Sequence, residues 1–332
     1  MLRIAQNKKR PALKKATPSR STFSVTPHMH IHARAITYFD MIRKAGSIRA
    51  ASRQLHVTAS AVNRQLLQLE AEIGSPLFER LSSGLRLTAS GEAFARHVIT
   101  VLQDSKRLAS ELDALRGLRR GSVSVMAAGG LMSKTIPMLV GQMRSDYPLV
   151  DLKVDFGTTL QCAKAVVDGD VDVAIHFSLP RRAELRQVAV ARLAFGAVVA
   201  AGHPLAQLSN VTFAECAKFP LILPTPELMT HAALEPLIRN FKRPVQVALQ
   251  AGSIELMKQA AALGFGVSFQ NRMGLEDELD SGKLVHIPLK VPGRLYSEIG
   301  VYVRAGRALP PPVDAFIRFA AEEVQRQESL ER

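Results

Sequence analysis

The sequence predicts an α/β chain with an N-terminal all-α winged helix-turn-helix, a long linker helix and a C-terminal two-lobed α/β domain. Three observations carry this. Residues 47–70 hold two capped helix patterns separated by a tight turn. Residues 94–115 hold apolar side chains at alternating steps of four and three. From Ser122 onward, strand and helix patterns alternate almost to the C-terminus.

A chain of 332 residues with 47% hydrophobic content is long enough for two or three domains with a sizeable core. Its two cysteines, Cys162 and Cys216, have no metal-type spacing and fit a reducing compartment better than a disulfide framework. No apolar run reaches the roughly 18–20 residues that span a bilayer. The most apolar stretch, 193–202, reads as a buried strand. The net charge of +14 is unevenly placed. Residues 1–28 hold seven Lys/Arg and no acid, 29–90 eight against four, 91–121 six against four, and the remaining 211 residues 22 against 21. A basic N-terminal side on a nearly neutral remainder suits a nucleic-acid-binding module joined to a sensory one.

Residues 1–28 lack an apolar period and are rich in Lys, Pro, Ser and Thr, which predicts a basic, disordered tail. It has no apolar core for a secretory signal. Either the tail adds phosphate contacts or the functional start is Met29. His28, His30 and His32 alternate as ligands would, but no carboxylate or cysteine stands nearby, and no metal site is expected.

Residues 34–45 predict a first helix with Ile36, Phe39 and Ile42 inward and Gly46 as its stop. Ser47 caps a helix at 48–55, the chain turns at His56-Val57, and Thr58 caps a second helix at 59–70. Val62, Leu66 and Leu69 share one face of that helix. Ala59, Ser60, Asn63 and Arg64 fall on or near the other. Small residues there let the backbone approach bases, Asn63 is placed for an adenine edge, and Arg64 for a guanine or a phosphate. Thr58 and Arg49 complete the candidate DNA-binding set on this unit. Residues 80–88 predict a wing turning at Ser83-Gly84, where Arg86 either reaches a phosphate or minor groove or stands as a solvated surface arginine.

Residues 91–116 predict a long helix. Phe94, Val98, Val101, Leu108, Leu112 and Leu115 form a heptad seam interrupted by Ser105. A lone helix would leave this stripe wet, so a second copy of the chain is the expected partner, with packing on its own domain the alternative. Gly117 and Arg119-Arg120-Gly121 mark the hinge. The expected division is a tail at 1–28, a winged helix-turn-helix at 29–90, a linker at 91–121 and a two-lobed α/β domain at 122–327. The first lobe takes 122–192 and 294–327, the second 193–293.

Strand patterns follow at 122–128, 149–156, 171–177, 195–200, 221–223, 245–249, 267–270 and 296–303. Helix patterns fall at 131–145, 160–167, 227–240, 254–263 and 311–325. The alternation predicts a largely parallel sheet. In such sheets ligands bind beyond the carboxyl ends of strands, where helix N-termini present free N–H groups. That places candidate ligand contacts at Ala128, Gly129, Gly130, Leu131, Thr158, Thr159, Phe177, Thr225 and Phe269. Gly129 and Gly130 allow close backbone approach. Thr158 and Thr159 offer hydroxyls or serve as plain N-caps. The cluster shows no obvious arginine, which favours a small polar or singly charged ligand over a doubly charged anion.

The series Ala50-Ala51, Leu55-His56-Val57-Thr58, Arg64-Gln65, Leu69-Glu70, Gly74, Pro76-Leu77-Phe78-Glu79-Arg80, Leu87-Thr88 and Gly91-Glu92 resembles the N-terminal domain of the LysR-type transcriptional regulators. A looser resemblance to that family's effector domain, itself similar to periplasmic binding proteins, rests on Ile136-Pro137, Tyr147-Pro148, Gly169-Asp170-Val171-Asp172-Val173-Ala174-Ile175, Gly202-His203-Pro204-Leu205-Ala206 and Gly264-Phe265-Gly266-Val267. The resemblance implies a cytoplasmic homodimer or homotetramer on double-stranded DNA carrying an inverted repeat. It also implies a small-molecule effector, RNA polymerase as a further partner, and no cofactor. Ala59 and Asn63 depart from the family pattern at expected base contacts, so no relative's operator can be borrowed. Ala128-Gly129-Gly130 stands where a serine or threonine is common, and Gln270-Asn271 where a proline is. A solute-binding protein using only the two-lobed fold is the alternative, and the first 90 residues stand against it. An enzyme is disfavoured by the lack of a nucleophile elbow, a P-loop, metal-ligand spacing or paired carboxylates. Asp168, Asp170 and Asp172 read as a turn entering a strand.

Overall fold

The computed structural model describes residues 34–82, 84–116, 120–291 and 295–330. The basic tail at 1–28, the alternating histidines, Ser83 and the hinge residues 117–119 lie outside the described residues.

Three helices open the fold: α1 (Arg34–Ala45), α2 (Ile48–Leu55) and α3 (Ala59–Ile73). Ser47 Oγ accepts from the Ala50 amide at 3.1 Å and Thr58 Oγ1 from the Ala61 amide at 3.3 Å, which satisfies free donors at both helix starts. His56 and Gly74, both left-handed, end α2 and α3. Ile42, Ala51, Val62 and Leu66 close one small core, and Phe39, Leu69 and Leu77 begin another. The wing pairs β1 (Phe78–Leu81) with β2 (Gly84–Leu87). It starts before residue 80 because Phe78 packs on Phe39, with ring centroids 5.2 Å apart.

Thr88 caps the long helix α4 (Ala89–Leu115) through the Gly91 amide at 3.0 Å. Gly91 is required there, since a Cβ would collide with the Leu77 carbonyl. The predicted seam divides along this helix. Phe94 meets Phe39 edge to face at 4.8 Å, and Val98 is fully buried in the core of its own winged helix. These two are therefore not free for a partner chain. Three short helices and a ribbon cannot cover Phe39, Leu69 and Leu77 by themselves, and the first turns of α4 supply the missing apolar wall. Val101 is half-buried, whereas Leu108, Leu112 and Leu115 are exposed.

The C-terminal domain has two lobes. The chain builds β3 (Gly121–Ala127), α5 (Thr135–Asp146), β4 (Val150–Phe156), α6 (Thr159–Val167), β5 (Val173–Phe177) and β6 (Leu185–Ala194). It then crosses to β7 (Gly196–Ala200), α7 (Phe213–Cys216), β8 (Leu221–Pro224), α8 (Met229–Asn240), β9 (Val247–Ala251), α9 (Ile254–Ala262), β10 (Ser268–Gln270), α10 (Glu276–Asp280) and β11 (Leu284–Pro288). It returns as β12 (Tyr296–Arg304) and closes with α11 (Pro311–Ser329). The first-lobe sheet runs β4-β3-β5-β12-β6, with β3 parallel to both its neighbours and β12 antiparallel to both of its own. The sheet is thus mixed, because β12 re-enters from the second lobe against the direction of β5. The second lobe has an antiparallel β10-β7-β11 sheet and a parallel β8-β9 pair. Val313, Phe316, Ile317, Ala320 and Val324 of α11 seal the first-lobe core.

Candidate nucleic-acid interface and effector cleft

The helix-turn-helix presents one polar face. Arg49, Thr58, Ser60 and Arg64 are exposed, while Ala59 and Asn63 are half-buried. Val62, Leu66 and Leu69 face inward, which fixes the rotation of α3. The Thr58 hydroxyl serves the cap and lies 3.1 Å from Ser60 Oγ. On the wing, register sets Arg86 opposite Glu79, and Arg86 Nε donates to Glu79 Oε1 at 2.6 Å. Both side chains are largely solvated, so this pair adds little stability. A phosphate that took Arg86 would compete with that carboxylate.

At the carboxyl edge of the first-lobe sheet, the ends of β3, β4 and β5 converge. The Ala128 amide donates to the Ile175 carbonyl at 3.0 Å and the Gly157 amide to Ala127 at 3.1 Å. His176 bridges them, with Nδ1 3.0 Å from the Phe177 carbonyl and Nε2 3.3 Å from the Gly157 carbonyl. Burial holds its imidazole below the usual histidine range, although both carbonyls oppose that. The next residue, Ser178, is held left-handed at φ 46°.

The second lobe closes on this edge. A Cβ on Gly130 would lie 3.7 Å from Ile254, and the backbones of Gly130 and Gly274 are in direct contact. Ser133 Oγ lies 3.5 Å from the Gly274 carbonyl, and Lys134 Nζ 3.3 Å from Asp277 and 3.5 Å from Asp280. Met273 packs into the first-lobe core, and Asn271 Nδ2 donates to Ser297 Oγ at 2.7 Å. Beside Ile254, Thr225 bonds through its amide to Ala251 at 3.0 Å.

The candidate ligand residues fare unequally. Gly129 and Gly130 lie where the lobes meet, and Thr225 lies beside Gly252 in the second lobe. Leu131 and Phe269 do not line a cleft: both are fully buried, Leu131 in the first-lobe core and Phe269 in the second, stacked on Phe213 at 5.7 Å. The reason is geometric. Leu131 ends the 3-10 turn Gly129–Leu131 with its side chain in the core, and Phe269 lies in β10, which is buried on both faces. The Ala128 methyl also belongs to the core, which leaves only its backbone at the edge. Phe177 is half-buried against the same core. Thr158 is committed to a capping box with Gln161, and Thr159 occupies the first turn of α6.

The model of the LysR substrate binding domain matches residues 116–325, and that of the bacterial regulatory helix-turn-helix protein, lysR family, matches residues 33–92. The chain belongs to the LysR family. It is a DNA-binding transcriptional regulator with a C-terminal effector-binding domain. The match across the N-terminal unit sets aside a solute-binding protein built on the two-lobed fold alone. This LysR-type regulator is 26% identical over 299 residues to a RuBisCO operon transcriptional regulator of Allochromatium vinosum, covering 90% of this chain and 98% of the relative. Its fold is similar to a full-length OxyR variant from Pseudomonas aeruginosa, at 19% identity and a TM-score of 0.66, covering 90% of this chain and 96% of the other. It is also similar to full-length CbnR in complex with its target DNA, at 21% identity and a TM-score of 0.50, covering 89% and 99%.

Several residues at the cleft escaped the sequence reading. Arg272, two positions beyond Gln270, is exposed and close enough to His286 to depress its titration, so the region is not free of arginine. Gln270 is 4% exposed, and neither end of its amide has a hydrogen-bond partner among the described residues. The sequence places Gln270 at a strand end where ligands bind, but does not single it out as a contact. The Lys134–Asp277 and Lys134–Asp280 pairs link residues too far apart in sequence for any periodicity to announce them.

Proposed function

We propose that this LysR-type regulator binds an inverted-repeat operator as a homodimer or homotetramer and adjusts transcription to a small polar effector held between its lobes. The observation that carries the reading is the α3 surface. Its Thr58-capped N-terminus carries Ser60, Asn63 and Arg64 on the side away from the core. Asn63 reads a base edge, Arg64 a guanine or a phosphate, and Arg49 and Arg86 steady the backbone. The functional units are 29–90 for DNA, 91–121 for dimerisation and 122–327 for the effector. Gly129, Gly130, Thr225 and the Gln270 amide contact the effector. The chain works by binding and not by turnover, and RNA polymerase is its further partner on DNA.

Selection of sites from random DNA tests this. Asn63→Ala should relax preference at one base position and cost about 1–3 kcal/mol per half-site. Arg64→Ala should weaken all sequences alike and lower the salt slope if it holds a phosphate. Wild-type affinity and discrimination in both variants would refute the assignment of α3.

A further inference from the structure

A cavity of about 470 Å³ lies between the winged helix and the first lobe. It sits at the sheet edge opposite the effector cleft, beside the turn that precedes β5 and the last residue of β12. Six cations line it: Arg43, Lys44, Arg86 and Arg96 from the DNA-binding side, and Lys164 and Arg304 from the first lobe. Four carboxylates share the wall: Glu92, Asp168, Asp170 and Glu184.

Most of these charges are already matched. Arg43 pairs with Asp40 at 2.7 Å and Asp168 at 3.6 Å. Lys44 pairs with Asp40 and Asp170, each at 3.1 Å, Lys164 with Asp168, and Arg86 with Glu79. Two guanidinium groups are left over, those of Arg304 and Arg96, and on the same wall the carboxylates of Glu92 and Glu184 form no ion pair among the described residues. Among the described residues Arg304 donates only to neutral acceptors: Thr100 Oγ1 at 3.1 Å, Gln103 Oε1 at 3.4 Å and the Arg96 carbonyl at 3.3 Å. The Arg96 guanidinium itself has no hydrogen bond or ion pair among the described residues. Near Arg304 stands Arg307, whose side chain is 2% exposed. Its Nη1 lies 2.7 Å from Asp172, while Nε and Nη2 have no hydrogen-bond partner among the described residues. Burial first, then the charges of Arg307 and Arg43, hold the Arg304 guanidinium below the usual arginine range, with Glu184 opposing. Positive charge in such surroundings is stabilised when an anion arrives.

We propose that this cavity is a second ligand site that takes a small phosphate-bearing anion of two or more charges. Planar guanidinium forks match phosphate oxygens in pairs. The volume lies in the usual range for small-molecule sites, roughly 300–1,000 Å³. Both domains supply walls, so the bound anion clamps the winged helix against the first lobe and ties its posture to a metabolite other than the cleft effector.

Titration calorimetry of the full chain without DNA, with inorganic pyrophosphate at fixed ionic strength, tests the site. One saturable site per chain is expected. Arg304→Gln and Arg96→Gln should each weaken it about tenfold or more, and Arg239→Gln, on α8 of the second lobe, should not. Arg96→Gln keeps the test sound if Arg304→Gln disturbs folding, because the Arg96 side chain makes no hydrogen bond or ion pair among the described residues. Absence of saturable heat, or affinity unchanged in Arg96→Gln, overturns the proposal. So does a third result. If the cavity receives the DNA backbone instead, the free protein takes no pyrophosphate, and Arg96→Gln flattens the slope of log affinity against log salt on random DNA by about 0.9.

Discussion

Substitutions at Val98 and Leu112 separate two roles that a single heptad pattern conceals. Val98 is fully buried among Phe39, Leu69, Leu77 and Ala95. Val98→Ala removes two carbons from a packed site, at a cost of about 1.5–2.5 kcal/mol to the winged helix. Leu112 is 36% exposed, Leu108 38% and Leu115 84%. Together they leave roughly one and a half leucine side chains wet on each chain. Covering that area between two copies is worth ~3 kcal/mol per chain and ~6 for the pair. Association costs are of similar size, so this patch decides whether the helices stay together. Leu112→Asp should therefore lower the mass in light scattering over a dilution series and leave amide exchange of α1 and α3 unchanged. Val98→Ala should do the reverse, speeding exchange in α1 and α3 at constant mass. Loss of mass in Val98→Ala without faster exchange, or native mass in both Leu108→Asp and Leu112→Asp, would refute the division of the seam.

Three further outcomes follow from local geometry. Gly91→Ala forces a Cβ against the Leu77 carbonyl, with backbone on both sides. It should cost ~3 kcal/mol or more and abolish operator binding, read by thermal melting and gel shift. His286 is pushed down to about 4 from 6.5 by burial and then by Arg272, so it folds neutral. Its contribution is complete above the unfolded value of 6.5 and falls as pH drops toward about 4. At pH 5 the loss should be about 1–2 kcal/mol, and His286→Gln should flatten the denaturation profile between pH 7 and 5. Burial raises the thiols of Cys162 to about 11 and Cys216 to about 12. Both should resist iodoacetamide at pH 8 in the folded chain, and peroxide should leave DNA affinity unchanged; rapid labelling of either would contradict this.

The helix-turn-helix was legible because its signals are local. Ser47, Thr58 and Gly74 act within a few residues of where they stand, and Val62, Leu66 and Leu69 report a single face. The strand β6 was not legible. Its outward face carries Val188 and Val190, 39% and 44% exposed, which blur the alternation with Ala189, Ala191 and Leu193 inside. The cleft was read in outline only. Strand ends name the right neighbourhood, but a three-residue strand such as β10 gives no period long enough to tell an inward Phe269 from an outward side chain. Contacts between domains were invisible altogether. Arg43 Nη2 donates to the Asp168 carbonyl at 2.9 Å across 125 positions, and nothing in either local sequence marks the other.

These failures share a cause, and α4 makes it visible. Its period of 3.5 is a property of one helix, but three environments divide its length. Phe94 and Val98 fill the winged helix. Ile99, Gln103 and Ser110 are buried, with Gln103 reached by Arg304 and both Ile99 and Gln103 pressed on Gly169 of the first lobe. Leu108, Leu112 and Leu115 are left outward. A rotation of α4 that improved its outward face for a second chain would disturb both other contacts, since the helix is rigid over this length. With the outward leucines as the proposed seam, oligomerisation, winged-helix stability and docking on the first lobe are coupled through one element. An effector that shifts the first lobe against α4 acts on the DNA-binding unit without touching it.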